Sequence, residues 1–178
     1  MDRDLFGNEI EPPPDSLELD LKGYDQSTFD GRLARLKYLY RVYPEGYGFL
    51  MSMEAHYLFD EARRAFVNGE LVGTILLAQA FIEHWLGGQL EGKIQKKNPG
   101  LDDILKHLRG EGRVHEWLID QVDALRKLRN PFVHPKPFDH PHNISQKIAT
   151  ERKSPDEILD KAAKEALAIM YRIARTSV

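Results

Sequence analysis

Between Ser27 and the C-terminus, apolar residues return every three or four positions, and nowhere do they alternate in the Val- and Thr-rich manner of a strand. That periodicity predicts an all-α chain folded as an up-and-down bundle of four to five helices. Start and stop signals bound each stripe. Ser27, with Asp30 three residues on, predicts the N-cap of a helix showing Phe29, Leu33, Leu36 and Tyr40, which Pro44 and nearby glycines end. A second helix is expected over about 49–67, with Met51, Ala55, Leu58, Ala62 and Ala65 on one face and Asn68-Gly69 as a left-handed stop. A third, over about 70–90, carries Val72, Leu76, Gln79, Glu83, Leu86 and Leu90 in one stripe.

Residues 93–112 are polar, with a turn at Asn98-Pro99-Gly100 and a short helix over 102–108. The next long helix, over about 113–128, turns Val114, Trp117, Leu118, Val122 and Leu125 inward and delivers Arg129 at its end. Pro131 is expected to stop it, because proline lacks the amide hydrogen and disfavours helical geometry in Asn130. A proline- and histidine-rich loop follows to His142. Ser154-Pro155-Asp156-Glu157 combines an N-cap, a proline at the first helical position and an acid three residues after the cap. The last helix then shows Ile158, Leu159, Ala162, Ala166, Ile169, Met170 and Ile173 to the core.

The chain of 178 residues is long enough for one domain with a real core. Residues 1–26 read as an acidic, proline-rich flexible tail, and residues 27–178 as the helical domain. The chain contains no cysteine, so thiolate metal sites are excluded and folding does not depend on an oxidising compartment. No apolar run approaches the roughly 20 residues of a membrane span, and the acidic N-terminus lacks the apolar core of a secretory signal. A cytoplasmic protein without a membrane partner is the expectation.

A formal net charge of −3 argues against non-specific coating of nucleic acid, which needs many phosphate-neutralising cations. The charge is segregated, however. Residues 1–20 carry seven acids against Arg3 alone, whereas residues 126–153 carry seven Lys or Arg against Asp139 and Glu151.

Inside that basic segment lies Leu-Arg-Lys-Leu-Arg-Asn-Pro-Phe-Val-His-Pro-Lys, residues 125–136. It sets a permanently charged cation, Arg129, near a group that exchanges a proton close to neutral pH, His134. The spacing of Arg, four residues and His, with Asn130 directly after the Arg, resembles the signature of the HEPN superfamily. The resemblance covers roughly residues 50–176. It implies a helical bundle, and either a metal-independent ribonuclease working as a homodimer or a catalytically silent module that binds a nucleotide or a partner protein.

On the first reading His134 is the general acid/base, Arg129 stabilises charge growing on phosphate oxygens, and Asn130 assists by hydrogen bonding. Arg126, Lys127 and Lys136 would bind single-stranded RNA. No cofactor or metal is called for, and an antitoxin or a defence-system protein is a further expected partner. Glu83, on the apolar stripe of the third helix, is costly to bury unpaired, and Arg129 is its expected partner. An acid on this helix of HEPN proteins is similarly thought to orient the motif arginine. The bland alternatives are that Arg129 caps its helix C-terminus, that His134 is a solvated loop residue, and that Glu83 is solvated at the bundle edge. His134, Asp139, His140 and His142 form a poor set for convergent metal ligation, and Trp85 and Trp117 read as core or interface anchors.

Overall fold

The computed structural model describes residues 15–44, 52–90, 92–94, 99–112 and 114–176. Among them all regular structure is α-helical: α1 (Ser16–Val42), α2 (Met53–Asn68), α3 (Leu71–Gln89), α4 (Leu101–Glu111), α5 (Glu116–Val133), α6 (Ile144–Glu151) and α7 (Pro155–Ala174). The first fourteen residues of the expected tail lie outside the described residues, as do Met51 and Asn98.

The centre of the molecule is α3, which packs against α2, α4, α5 and α7. Its buried residues, Thr74, Ile75, Ala78, Gln79, Phe81, Ile82 and Leu86 among them, form one broad stripe over nearly half of its circumference, wide enough to meet several neighbouring helices. By length and composition α3 could cross a membrane, a property the search for long apolar runs passed over. In the bundle its buried positions face the neighbouring helices. Phe66 and Phe81 are fully enclosed, each stabilising the fold by about 1.5–3 kcal/mol relative to exposure.

The directions of the helices follow from their contacts. Trp85 Nε1 donates to the Ile173 carbonyl at 3.1 Å and Gln89 Nε2 to that of Thr176 at 3.4 Å. At the other end Leu71 and Gly73 lie beside Asp156 and Leu159, so α3 and α7 run the same way. Arg172 donates to Gln121 at 2.8 Å and lies over the Trp117 ring, while Leu128 and Ala162 line one groove, so α5 runs opposite to α7. The C-terminal end of α5 therefore shares one end of the bundle with the α2–α3 turn and the start of α7.

The punctuation signals mostly hold. Gly69, at φ 84°, stops α2 in the left-handed region, and its own amide donates to the Phe66 carbonyl. Ser154 accepts from the Glu157 amide at 3.2 Å while Glu157 accepts from the Ser154 amide at 3.0 Å, closing the capping box of α7. Those bonds hold the Glu157 carboxylate below its ordinary value, first through the Ser154 amide and then through its hydroxyl.

Four expectations need correction. The first helix starts at Ser16, not Ser27: Asp15 accepts from the Glu18 amide at 2.7 Å, and the Ser27 hydroxyl instead donates back to the Tyr24 carbonyl at 2.9 Å. Residues 16–26 of the supposed tail are thus helical. Pro131 does not stop α5, which continues to Val133. The carbonyl that a residue at 131 would have satisfied belongs to exposed Lys127, where water can bond it. Trp117, expected inward, is half-exposed and meets Arg172 and His115. Finally, α6 appears where no helix was read, with no buried residue to give it an apolar stripe.

The first helix is anchored only by its C-terminal part. Leu36, Leu39 and Tyr40 share a groove with Arg63, Val67 and Asn68 of α2. Tyr38 stands over Phe66, and Tyr43 stacks on Tyr171 at 3.9 Å. Burial and the neighbouring Tyr38 and Tyr171 push the Tyr43 phenol up to about 12. Arg35 reaches the α2–α3 turn, where a Cβ on Gly69 would lie 3.0 Å from its Nη1. Since α2 runs antiparallel and ends at Asn68, the residues before about Arg32 have no helix beneath them, and residues 15–27 are all exposed.

Candidate functional site

The basic segment begins on α5 with cations that are already paired. Asp123 accepts from Arg126 Nε at 2.9 Å and Nη2 at 2.7 Å, and its other oxygen lies 2.7 Å from Lys127 Nζ. Asp102 of α4 adds a longer contact to Arg126 at 3.6 Å. Burial works to raise the Asp123 carboxyl, but the hydrogen bonds from Lys127 and Arg126 outweigh it and hold the group below its ordinary value. Two of the three expected RNA-binding cations therefore face a carboxylate. Lys136, the third, is exposed in the loop after α5.

One turn beyond Arg126, Arg129 is half-buried and makes no hydrogen bond or ion pair among the described residues. Asn130 uses its carbonyl to accept the His134 amide at 2.9 Å, which closes the last turn of α5. His134 is the exposed C-cap residue, with extended backbone at φ −132° and ψ 122°. Arg129 stands on α5 itself, whereas His134 lies one residue past its end, in extended backbone. No hydrogen bond or ion pair joins them.

The loop that follows is built of turns. Asn143 Nδ2 donates to the carbonyls of Pro137 at 2.7 Å and Phe138 at 3.2 Å, and the His142 amide donates to His140 Nδ1 at 3.3 Å. This brings His140 and His142 within 5.4 Å, ring centre to ring centre. Burial first, then the charges of His140, Lys147 and Lys127, hold the His142 imidazole below its ordinary value. An electropositive neighbourhood thus lies beside the end of α5. His140 and His142 were singled out in the sequence only as metal-ligand candidates, and Lys147 not at all. Their nearness depends on the turns of the loop, which spacing along the chain does not reveal. Among the described residues no three His, Asp or Glu side chains converge in the manner of a metal site.

A groove of about 400 Å³ runs between α5 and α7, with Leu125, Leu128 and Ile169 among its apolar walls and Lys147, Glu165 and Arg172 among its polar ones. Arg129, Asn130 and His134 do not line it.

Glu83 is not bonded to Arg129. Its Oε1 accepts from the Leu101 amide at 3.2 Å, at the first residue of α4. Gly100 has no side chain to cap that helix, so an acid from α3 satisfies one of its orphan amides from across the bundle. Glu83 is half-buried at the edge of the buried stripe of α3, and its partner is a helix start. Trp85 is a core anchor, stacked near Phe81 and bonded to the Ile173 carbonyl.

No family model matches the chain, and no curated protein or solved structure matches it either.

Proposed function

We propose that the protein is a metal-independent endoribonuclease of HEPN type that cleaves single-stranded RNA at the end of α5. The observation that carries this reading is a contrast among the cations of the last turns of α5. Arg126 and Lys127 both pair with Asp123, whereas Arg129, half-buried, has no hydrogen-bond or ion-pair partner among the described residues. A cation left uncompensated in such surroundings suits an anion from outside.

In the proposed reaction His134 takes the proton of a 2'-hydroxyl as its oxygen attacks the adjacent phosphorus. Arg129 stabilises the charge gathering on the non-bridging oxygens, with Asn130 as a further donor. The new bond is 2'-oxygen to phosphorus, the bond that breaks is phosphorus to 5'-oxygen, and the leaving oxygen takes a proton from an acid. One copy of the motif supplies one imidazole, so the acid is His134 of a second copy in a two-fold dimer. The products are a 2',3'-cyclic phosphate and a 5'-hydroxyl. A toxin–antitoxin or phage-defence setting is the matching biological role, with an antitoxin or a defence protein as partner.

A second reading, a silent HEPN-type module that binds a nucleotide or a protein, is favoured by the α5–α7 groove, which has an apolar floor and omits the motif. The two separate on mutation. On the first reading His134→Ala and Arg129→Ala each slow cleavage of single-stranded RNA by orders of magnitude while helical circular dichroism is retained. If both cut as fast as the parent, the chemistry does not belong to this motif.

A further inference from the structure

The N-terminal half of α1 is an arm without a surface to lie on. Leu17, Leu21 and Tyr24 follow one another at spacings of four and three residues, and they remain 75%, 62% and 59% exposed. Continuing that spacing through Thr28, Gly31 and Arg35 arrives at Tyr38, which packs on the bundle. The stripe is thus the bundle-facing side of α1 prolonged past the bundle's end. The overhang from Ser16 to about Arg32 is roughly 25 Å long. It also contains Gly23 and Gly31, each costing about 1 kcal/mol relative to alanine in a helix. A segment of that length and composition is marginal as a helix in water without packing.

Charge says what covers it. From Asp15 to Asp30 the arm holds Asp15, Glu18, Asp20, Asp25 and Asp30 against Lys22, so two arms laid on each other would repel. The remainder of α1 carries Arg32, Arg35, Lys37 and Arg41 and no acid. Beside it runs the groove between α1 and α2, about 490 Å³, with Leu36, Tyr40 and Val67 along it and Arg63 and Arg64 on α2, where Asp60 and Glu61 offset part of the charge. We propose that the acidic, leucine-bearing arm of one copy lies in the basic-edged α1–α2 groove of a second copy, and reciprocally, making a two-fold dimer.

Such an exchange runs the two first helices antiparallel, with the symmetry axis near Phe29. The arm leaves the bundle at the end that carries the α2–α3 turn and the C-terminus of α5. The two ends bearing Arg129 and His134 are therefore turned toward each other. That last consequence deepens the dimer of the proposed ribonuclease and rests on that reading; the arm itself does not.

The test uses the full chain and the absence of native cysteine. Leu21→Cys and Val67→Cys chains are made separately, mixed in equal amounts and mildly oxidised, with light scattering on the parent and on a Leu17→Glu, Leu21→Glu double variant. The expected result is a dimeric parent, a disulfide-linked dimer containing one chain of each kind, and a dimer dissociation constant raised at least tenfold in the double variant. A monomeric parent at tens of micromolar overturns the inference, and so does a dimer unmoved by the double substitution. Val67→Cys unable to fold is replaced by Leu36→Cys, on the facing side of the groove. RNA cleavage on the same samples separates the two ideas: a linked dimer that does not cut RNA keeps the arm and removes the chemistry, whereas a dimer that cuts RNA but neither links nor responds to the double substitution keeps the chemistry and removes the arm.

Discussion

Glu83 shows how far a single side chain can be read. Its position on an inward stripe follows from helical phase, but its partner depends on which helix arrives opposite, and that is the glycine-started α4. Removing the carboxylate by Glu83→Ala should cost about 0.5–2 kcal/mol of stability, as loss of a helix cap does. Glu83→Gln, which keeps an acceptor, should cost less. A double-mutant cycle with Arg129 should show no coupling; coupling above about 0.5 kcal/mol would restore the direct pair. Asp123 makes a pH prediction. Its folded-state value lies below the ordinary one, so its contribution is present above the unfolded pKa of about 3.9 and is lost as pH falls through the folded value. Asp123→Asn should therefore flatten the acid limb of a stability profile below about pH 4, and an unchanged limb would contradict the account.

At the scale of elements, helix starts and stops written in local side chains were legible, and those settled by tertiary context were not. Ser154 and Glu157 close a capping box visible in four letters, and Ser154→Ala should destabilise the fold by about 1 kcal/mol in denaturant melts, with no change in RNA cleavage. No loss of stability would mean that the box is idle. The Gly69 stop was equally plain. By contrast, Pro131 reads as a stop, yet its missing hydrogen falls on a carbonyl that faces water, so the helix proceeds. Residues 16–26, the start of α1, read as part of a tail because three consecutive prolines and many acids lead into them. Its Leu17, Leu21 and Tyr24 pattern has no packing partner among the described residues of the subunit. The short α6 has no fully buried residue, and Ile144 and Ile148 alone make too short an apolar stripe to stand out.

For the molecule as a whole, the all-helical architecture was legible because stripes of period 3.6 run through most of the chain and no strand pattern competes with them. The candidate site was legible as a set of residue types but not as a geometry. Arg129, Asn130 and His134 lie close in sequence, yet the first two stand on α5 and His134 in extended backbone just past its end, with no bond between Arg129 and His134. His140 and His142 come together through a loop whose turns are fixed by Asn143, and Lys147 approaches His142 from α6. On the proposed reading a second copy completes the site, and the reaction leaves a chemical signature. The direct measurement is phosphorus NMR of the ends produced when the purified protein, with chelator present, is incubated with a single-stranded oligoribonucleotide. The account predicts a 2',3'-cyclic phosphate that is absent with His134→Ala; ends bearing a 5'-phosphate and a 3'-hydroxyl, or intact RNA, would contradict it.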